Sequence, residues 1–303
     1  MTIYRVHHLT AYRYLQPVAF GEHRMMFSPR ESHDQHLLES TLRISPEPAT
    51  LRFSDDALGN RVGVAHFSAH ATSLVFESRI RVEQWRSHPV GFNIEDRAMT
   101  LPVGFEAEEL SDLRPFLIRR HPDPDSALDA WTRSFLRVDE ATRSIELLTG
   151  MIHGIRRGLT YVRRHEKGIQ TPGETLRRGS GTCRDFTELM IEALRLLGLP
   201  ARFVSGYLYV PDRDRAEVHG GGSTHAWVQV YLPGAGWIDI DPTNAILGNE
   251  GLIRVAVARE PSETLPLYGS YSGSPSDDLG MEVMVKVVRE EDAAAEPFTG
   301  LRA

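Results

Sequence analysis

Ser180-Gly181-Thr182-Cys183-Arg184-Asp185-Phe186-Thr187-Glu188-Leu189-Met190-Ile191-Glu192-Ala193-Leu194-Arg195-Leu196-Leu197-Gly198-Leu199-Pro200 is the stretch on which the fold turns. Phe186, Leu189, Met190, Ala193, Leu194 and Leu197 recur at the helical period and form one apolar face. Gly198 and Pro200 stop the helix. At its start, Thr182 followed three residues later by Asp185 fits a capping box. Cys183, the chain's single cysteine, then occupies the first helical position. A lone cysteine is commonly a small buried apolar side chain. This one sits where unpaired N–H groups and about half a positive charge converge. Those groups favour the thiolate, which is the nucleophile, and can also hold an oxyanion.

A cysteine nucleophile needs a base, and the base an orienting group. Among 13 histidines, His225 opens the strand-like run His225-Ala226-Trp227-Val228-Gln229-Val230-Tyr231. It is preferred to His219, which lies in the loop containing Gly220-Gly221-Gly222 and would be poorly fixed. Pro233-Gly234-Ala235-Gly236 signals a hairpin into Trp237–Asp241. Asp239 and Asp241 share one face of that second strand. If Trp227 pairs with Asp241, the carboxylate lies diagonal to His225, at about 7–8 Å between backbones and within side-chain reach. Asp239 then stands opposite Gln229, too far away. A four-residue loop would pair Val228 with Asp241 and point His225 and Asp241 apart, because a one-residue slip flips every face. The hairpin is therefore expected to have an odd-length loop or a β-bulge. Asp241-Pro242-Thr243-Asn244 also reads as an ordinary turn.

Upstream, Ile145, Leu148, Met151, Ile152 and Ile155 predict a helix from about residue 141, stopped at Gly158. Residues 91–140 read as a connection with short helices, punctuated by Pro115, Pro122 and Pro124. Residues 1–90 read as an antiparallel β-rich unit, with alternation over 38–44 and 74–82 and a turn at 55–60. Strands are expected over 201–210, 226–232, 237–241, 253–257 and 281–287, placing a core domain at 141–290 and a flexible tail at 291–303.

The net charge of −7 gives no basic footprint for nucleic acid, so none is expected as a partner. No uncharged apolar run approaches the ~18–20 residues of a membrane helix, and no signal peptide is legible. One thiol excludes internal disulfides and multi-cysteine metal sites, and fits a reducing cytoplasm.

Four blocks resemble the transglutaminase-like superfamily, whose core is of the papain type: Gly181–Phe186, Gly198–Tyr207, His225–Val230 and Gly236–Asn244. Tyr4-Arg5-Val6 and Gly59-Asn60-Arg61 resemble the β-rich domain that precedes this core in bacterial members. Gln229 departs from the pattern, standing where an acid is common. The resemblance implies an α+β fold, with a nucleophile helix packed on an antiparallel sheet. It also implies Cys183 as nucleophile, His225 as base and Asp241 as orienter. The expected activity is cysteine-dependent acyl transfer through a thioester, hydrolysing a peptide, carboxamide or isopeptide bond of a protein or peptide, with transfer or ligation to an amine as the alternative. Some relatives lack catalysis and would be binding modules. The Cys183 N–H would serve the oxyanion, with Tyr161 and Gln170 as candidates for a second donor. Neither metal nor organic cofactor is expected; animal-type members use calcium, and no Asp-rich loop of EF-hand form is present.

Overall fold

A computed structural model describes residues 1–86, 91–163, 168–211 and 224–293. His219, the glycine run 220–222 and residues 294–303 of the expected tail lie outside the described residues. The fold is α+β. The first sheet is built on β1 (Thr2–Met25), joined by β2 (Gln35–Ser45), β3 (Thr50–Asp55), β4 (Arg61–His66) and β5 (His70–Gln84) in the order β2-β5-β1-β4-β3. β1 pairs with β5 from Thr2 to Ala19, and the register slips between Arg13 and Val18. Pro17 lies in that gap; with no N–H to give the ladder, it belongs at such an irregularity.

The connection carries α1 (Ala107–Leu113) and α2 (Ala127–Arg133). Next come α3 (Ser144–Gly158), β6 (Thr160–Tyr161), α4 (Pro172–Arg178), β7 (Ser180–Gly181) and α5 (Cys183–Leu196). The second sheet uses β8 (Ala201–Leu208), β9 (His225–Leu232), β10 (Gly236–Asp241), β11 (Ile246–Leu247) and β12 (Leu252–Ala258) in the order β11-β10-β9-β8-β12. Phe186, Leu189, Met190, Ala193 and Leu194 of α5 pack with Ala201, Phe203, Ala226, Val228, Val230, Ile238 and Ile240 of the sheet. Burying each large apolar side chain is worth about 1.5–3 kcal/mol, so this one face is enough to hold α5 against the strands.

The last described strands return to the first sheet. β13 (Leu267–Ser272) and β14 (Asp278–Arg289) both pair antiparallel with β1, and the short α6 (Glu290–Ala293) follows. The core expected over 141–290 is corrected accordingly: residues 267–272 and 278–289 are strands of the N-terminal sheet. Alternation identified Met281–Val287 as a strand, but period-2 patterning does not say which sheet supplies the partner. Residues 291–293, expected in the tail, belong to α6. Tyr4, Val6, Ile80, Val82 and Val285 of the first sheet share one core with Tyr207, Tyr209, Ile253 and Val255 of the second, so the two units pack directly on each other. No described helix is long and apolar enough to cross a membrane.

Candidate active site

The capping box forms as the sequence predicts. Thr182 Oγ1 accepts the Asp185 N–H at 3.3 Å, and Asp185 Oδ2 accepts the Thr182 N–H at 2.8 Å. Asp185 Oδ1 also accepts the Gln170 N–H at 2.7 Å, tying the preceding loop to the helix start. Cys183 is thereby held at the first position of α5, with 8% of its surface exposed.

His225 comes to the site through the hairpin register. Gly236 pairs with Leu232 and Ile240 with Val228, leaving a three-residue loop, Pro233–Ala235. That odd length is what the sequence reading required. Gly234 makes it possible: its φ is +82°, and a Cβ there would lie 2.3 Å from the Asn93 carbonyl oxygen. Extended by one step, the register places Asp241 across from Trp227 and diagonal to His225. His225 Nε2 donates to Asp241 Oδ2 at 2.8 Å, and both side chains are fully buried. The turn reading of 241–244 also holds: Asp241 Oδ1 accepts the N–H groups of Thr243 at 2.8 Å and Asn244 at 3.3 Å. Asn244 Nδ2 donates to Oδ2 at 2.7 Å. Asn244 was not anticipated; only its position three residues after Asp241 in a turn pointed to it.

The electrostatics follow from these contacts. Burial alone would raise Asp241, but His225, Asn244 and the Thr243 N–H hold its carboxyl below the usual range. Burial alone would lower His225; the Asp241 charge and hydrogen bond, with a further contribution from Cys183, hold it above the ordinary imidazole value. Burial alone would raise the Cys183 thiol. His225 above all, then Arg184 and the Ala226 N–H, overcome that and hold it below its ordinary value. Among the described residues Nδ1 of His225 has no hydrogen-bond partner, yet the imidazole and thiol are close enough to shift each other's ionisation. Such a pair favours thiolate with imidazolium.

Both candidate oxyanion donors lie among the described residues. β6 pairs with β7, setting Tyr161 beside Gly181, two residues before Cys183. Burial, then the neighbouring Cys183, pushes the Tyr161 hydroxyl up to about 12, so it stays a donor at neutral pH. Gln170 is buried; its side-chain amide oxygen accepts from Thr175 at 3.2 Å, and its backbone N–H goes to Asp185. Arg184, next to the thiol, lies over the Phe203 ring at 5.4 Å and donates to the Pro261 carbonyl at 3.3 Å. Asp239 stands opposite Gln229, as expected, and holds Trp227 instead of His225. Gln229 itself accepts from Arg202 at 2.9 Å; an acid there would face the buried Asp239 with a second carboxylate.

Comparison with known proteins adds to this geometry. The sequence pattern described as the transglutaminase-like superfamily matches residues 137–242, and that of the bacterial transglutaminase-like N-terminal region matches residues 4–83. An uncharacterized protein of Mycobacterium tuberculosis is 31% identical over 300 residues, covering 93% of this chain and 92% of the relative. One from Mycobacterium leprae is 29% identical over 304 residues, covering 94% and 98%. The crystal structure of a candidate cysteine protease from Cytophaga hutchinsonii aligns with a TM-score of 0.71 over 95% of this chain and 91% of the other. At 18% identity that likeness is one of fold.

Proposed function

Because this chain belongs to the transglutaminase-like superfamily, with the bacterial transglutaminase-like N-terminal region ahead of the core, we propose that it is a cysteine-dependent acyl-transfer enzyme hydrolysing peptide or isopeptide bonds. The observation that carries this reading is the buried His225–Asp241 pair, 2.8 Å apart, beside the sole thiol at a helix N-terminus. The Cys183 thiolate attacks the amide carbonyl carbon, and the C=O electron pair moves onto oxygen. The Cys183 N–H and the Tyr161 hydroxyl receive that oxyanion. As the C–N bond breaks, the His225 imidazolium gives its proton to the departing amine and a thioester remains. His225, now neutral, takes a proton from water, whose oxygen attacks the thioester. The C–S bond breaks, the acid product leaves, and the thiolate with the His225 imidazolium is restored. Asp241 holds the imidazole throughout and stabilises its charge.

Hydrolysis is placed ahead of amine transfer because water is always present and no acceptor-amine pocket is legible in the sequence. Mass spectrometry of peptide and isopeptide substrates, with and without a primary amine, tests this. The expected products are a new carboxylate and a released amine or ammonia, unchanged by added amine. Incorporation of the amine would favour the transfer reading. Turnover of no carboxamide or isopeptide, with the thiol intact, would favour a non-catalytic binding module.

A further inference from the structure

β12 is the edge strand of the second sheet, paired on one side with β8. Its other side is met by side-chain amides from the N-terminal unit. Gln35 accepts the Arg254 N–H at 2.9 Å and donates to the Arg254 carbonyl at 2.9 Å. Asn60 does the same to Val257, at 2.8 Å in both directions. Gln84 donates to the Leu252 carbonyl at 2.7 Å. Gln35, Asn60 and Gln84 are all buried. Each primary amide carries the donor and acceptor of a peptide group, so they stand in for a missing strand and satisfy an otherwise open edge.

The Arg254 side chain carries this connection across the sheet. Nη2 donates to Ser32 Oγ at 3.0 Å and to Asp34, both from the N-terminal unit, while Nη1 donates to Asp239 Oδ2 at 2.7 Å. Asp239 Oδ1 accepts the Trp227 Nε1–H at 2.7 Å. The Trp227 ring lies against the His225 ring, with centroids 6.0 Å apart and planes 24° apart. His225, Gly206 and Arg254 stand in one row across β9, β8 and β12. Gly206 clears the way: a Cβ there would lie 2.0 Å from the Ile253 carbonyl oxygen and 2.7 Å from the Trp227 indole.

We infer that the N-terminal unit positions the catalytic base: Asp34 and Ser32 fix Arg254, Arg254 fixes Asp239, and Asp239 fixes the Trp227 indole that holds the His225 ring turned toward Asp241. Arg254, Asp239 and Asp34 are thus positioning residues, none of them touching the thiol. The chain is buried and charged, and every charge in it has an opposite partner. Such a link transmits position because each member loses a fixed partner if its neighbour moves. This inference rests on the Cys183–His225 reading of the site.

Iodoacetamide labelling of Cys183 across pH 5–9, on full-length protein, tests it. Arg254→Met is expected to slow labelling at pH 6 on the order of 10-fold, since small misplacement of a remote support can cost that much. Its pH midpoint should move upward while labelling at pH 9 is kept. Arg254→Lys keeps the charge but not the two-armed fork, and should recover part of the loss. Asp34→Asn, nearly isosteric and remote from the thiol, should move the profile in the same direction by less. A purely structural role would lower the melting temperature of these variants and leave the labelling profile of the folded protein unmoved; that result overturns the inference. If Arg254→Met does not fold, Asp34→Asn and Arg254→Lys decide it by the same criterion. Wild-type protein that fails to label at pH 6 would instead refute the reading of the site itself.

Discussion

Cys183→Ala and His225→Ala are each expected to lower kcat at least ~10³-fold on a verified substrate, with the fold intact, because nucleophile and base act as one unit. For the same reason the double variant should be little worse than either single one. Alanine at 183 removes the only thiol in the chain, so nothing else can form a thioester. Alanine at 225 removes both the proton acceptor and the cation that supports the thiolate. Asp241→Asn should be milder, because an amide oxygen can still accept from Nε2. Additive losses, or wild-type turnover in Cys183→Ala, would end the triad reading. Steady-state kinetics with circular dichroism on the same samples makes the comparison.

The largest expected stability effect lies elsewhere on α5. The Arg195 guanidinium is buried and donates to the carbonyls of Phe116 at 3.1 Å, Ile118 at 3.1 Å, Ala201 at 3.0 Å and Arg259 at 2.9 Å. It also donates to Glu192 at 3.3 Å, whose carboxylate in turn accepts the N–H groups of Arg120 and His121, each at 3.1 Å. One side chain therefore ties α5 to the connection, to the start of β8 and to the segment after β12. Arg195→Met keeps much of the volume but takes the buried guanidinium away from the buried Glu192, with several carbonyls unsatisfied. Breaking a buried pair in this way costs about 3–5 kcal/mol. At roughly 2–4 °C per kcal/mol, the melting temperature should fall by about 10 °C. A change under about 2 °C would mean that water or neighbours replace these contacts readily, against a well-packed α5.

The parts of the fold legible in the sequence were those set by local pattern. The capping box and apolar face of α5 follow from spacing alone, and so does the strand character of 281–287. The approach of Asp241 to His225 was legible at one remove: the face argument excluded an even loop, and Pro233–Ala235 has three residues. Residues whose partners are distant in sequence were not legible. Periodicity assigns Glu188, Glu192 and Arg195 to the polar side of an amphipathic helix, yet all three are buried, because the connection folds over that side. Asp239 was dismissed as too far from His225, which is correct geometrically. Its partner Arg254 lies across two other strands of the sheet, where no spacing rule reaches. The placement of β14 beside β1 is a long-range pairing of the same kind.

The central claim is that Cys183 is an activated thiolate beside His225. Because it is the only thiol, iodoacetamide labelling of the native chain reads one site. An ordinary cysteine with pKa near ~8.5 is only about 0.3% ionised at pH 6 and reacts slowly there. A thiol held below its ordinary value stays ionised further into the acid range, so labelling at pH 6 should be faster than for an ordinary cysteine. The expected result is one label per chain, formed rapidly at pH 6, with the midpoint moving upward in His225→Ala because the positive partner is gone. Native protein that stays unlabelled from pH 6 to 7, yet labels fully in denaturant, would contradict the account and make Cys183 a plain buried side chain.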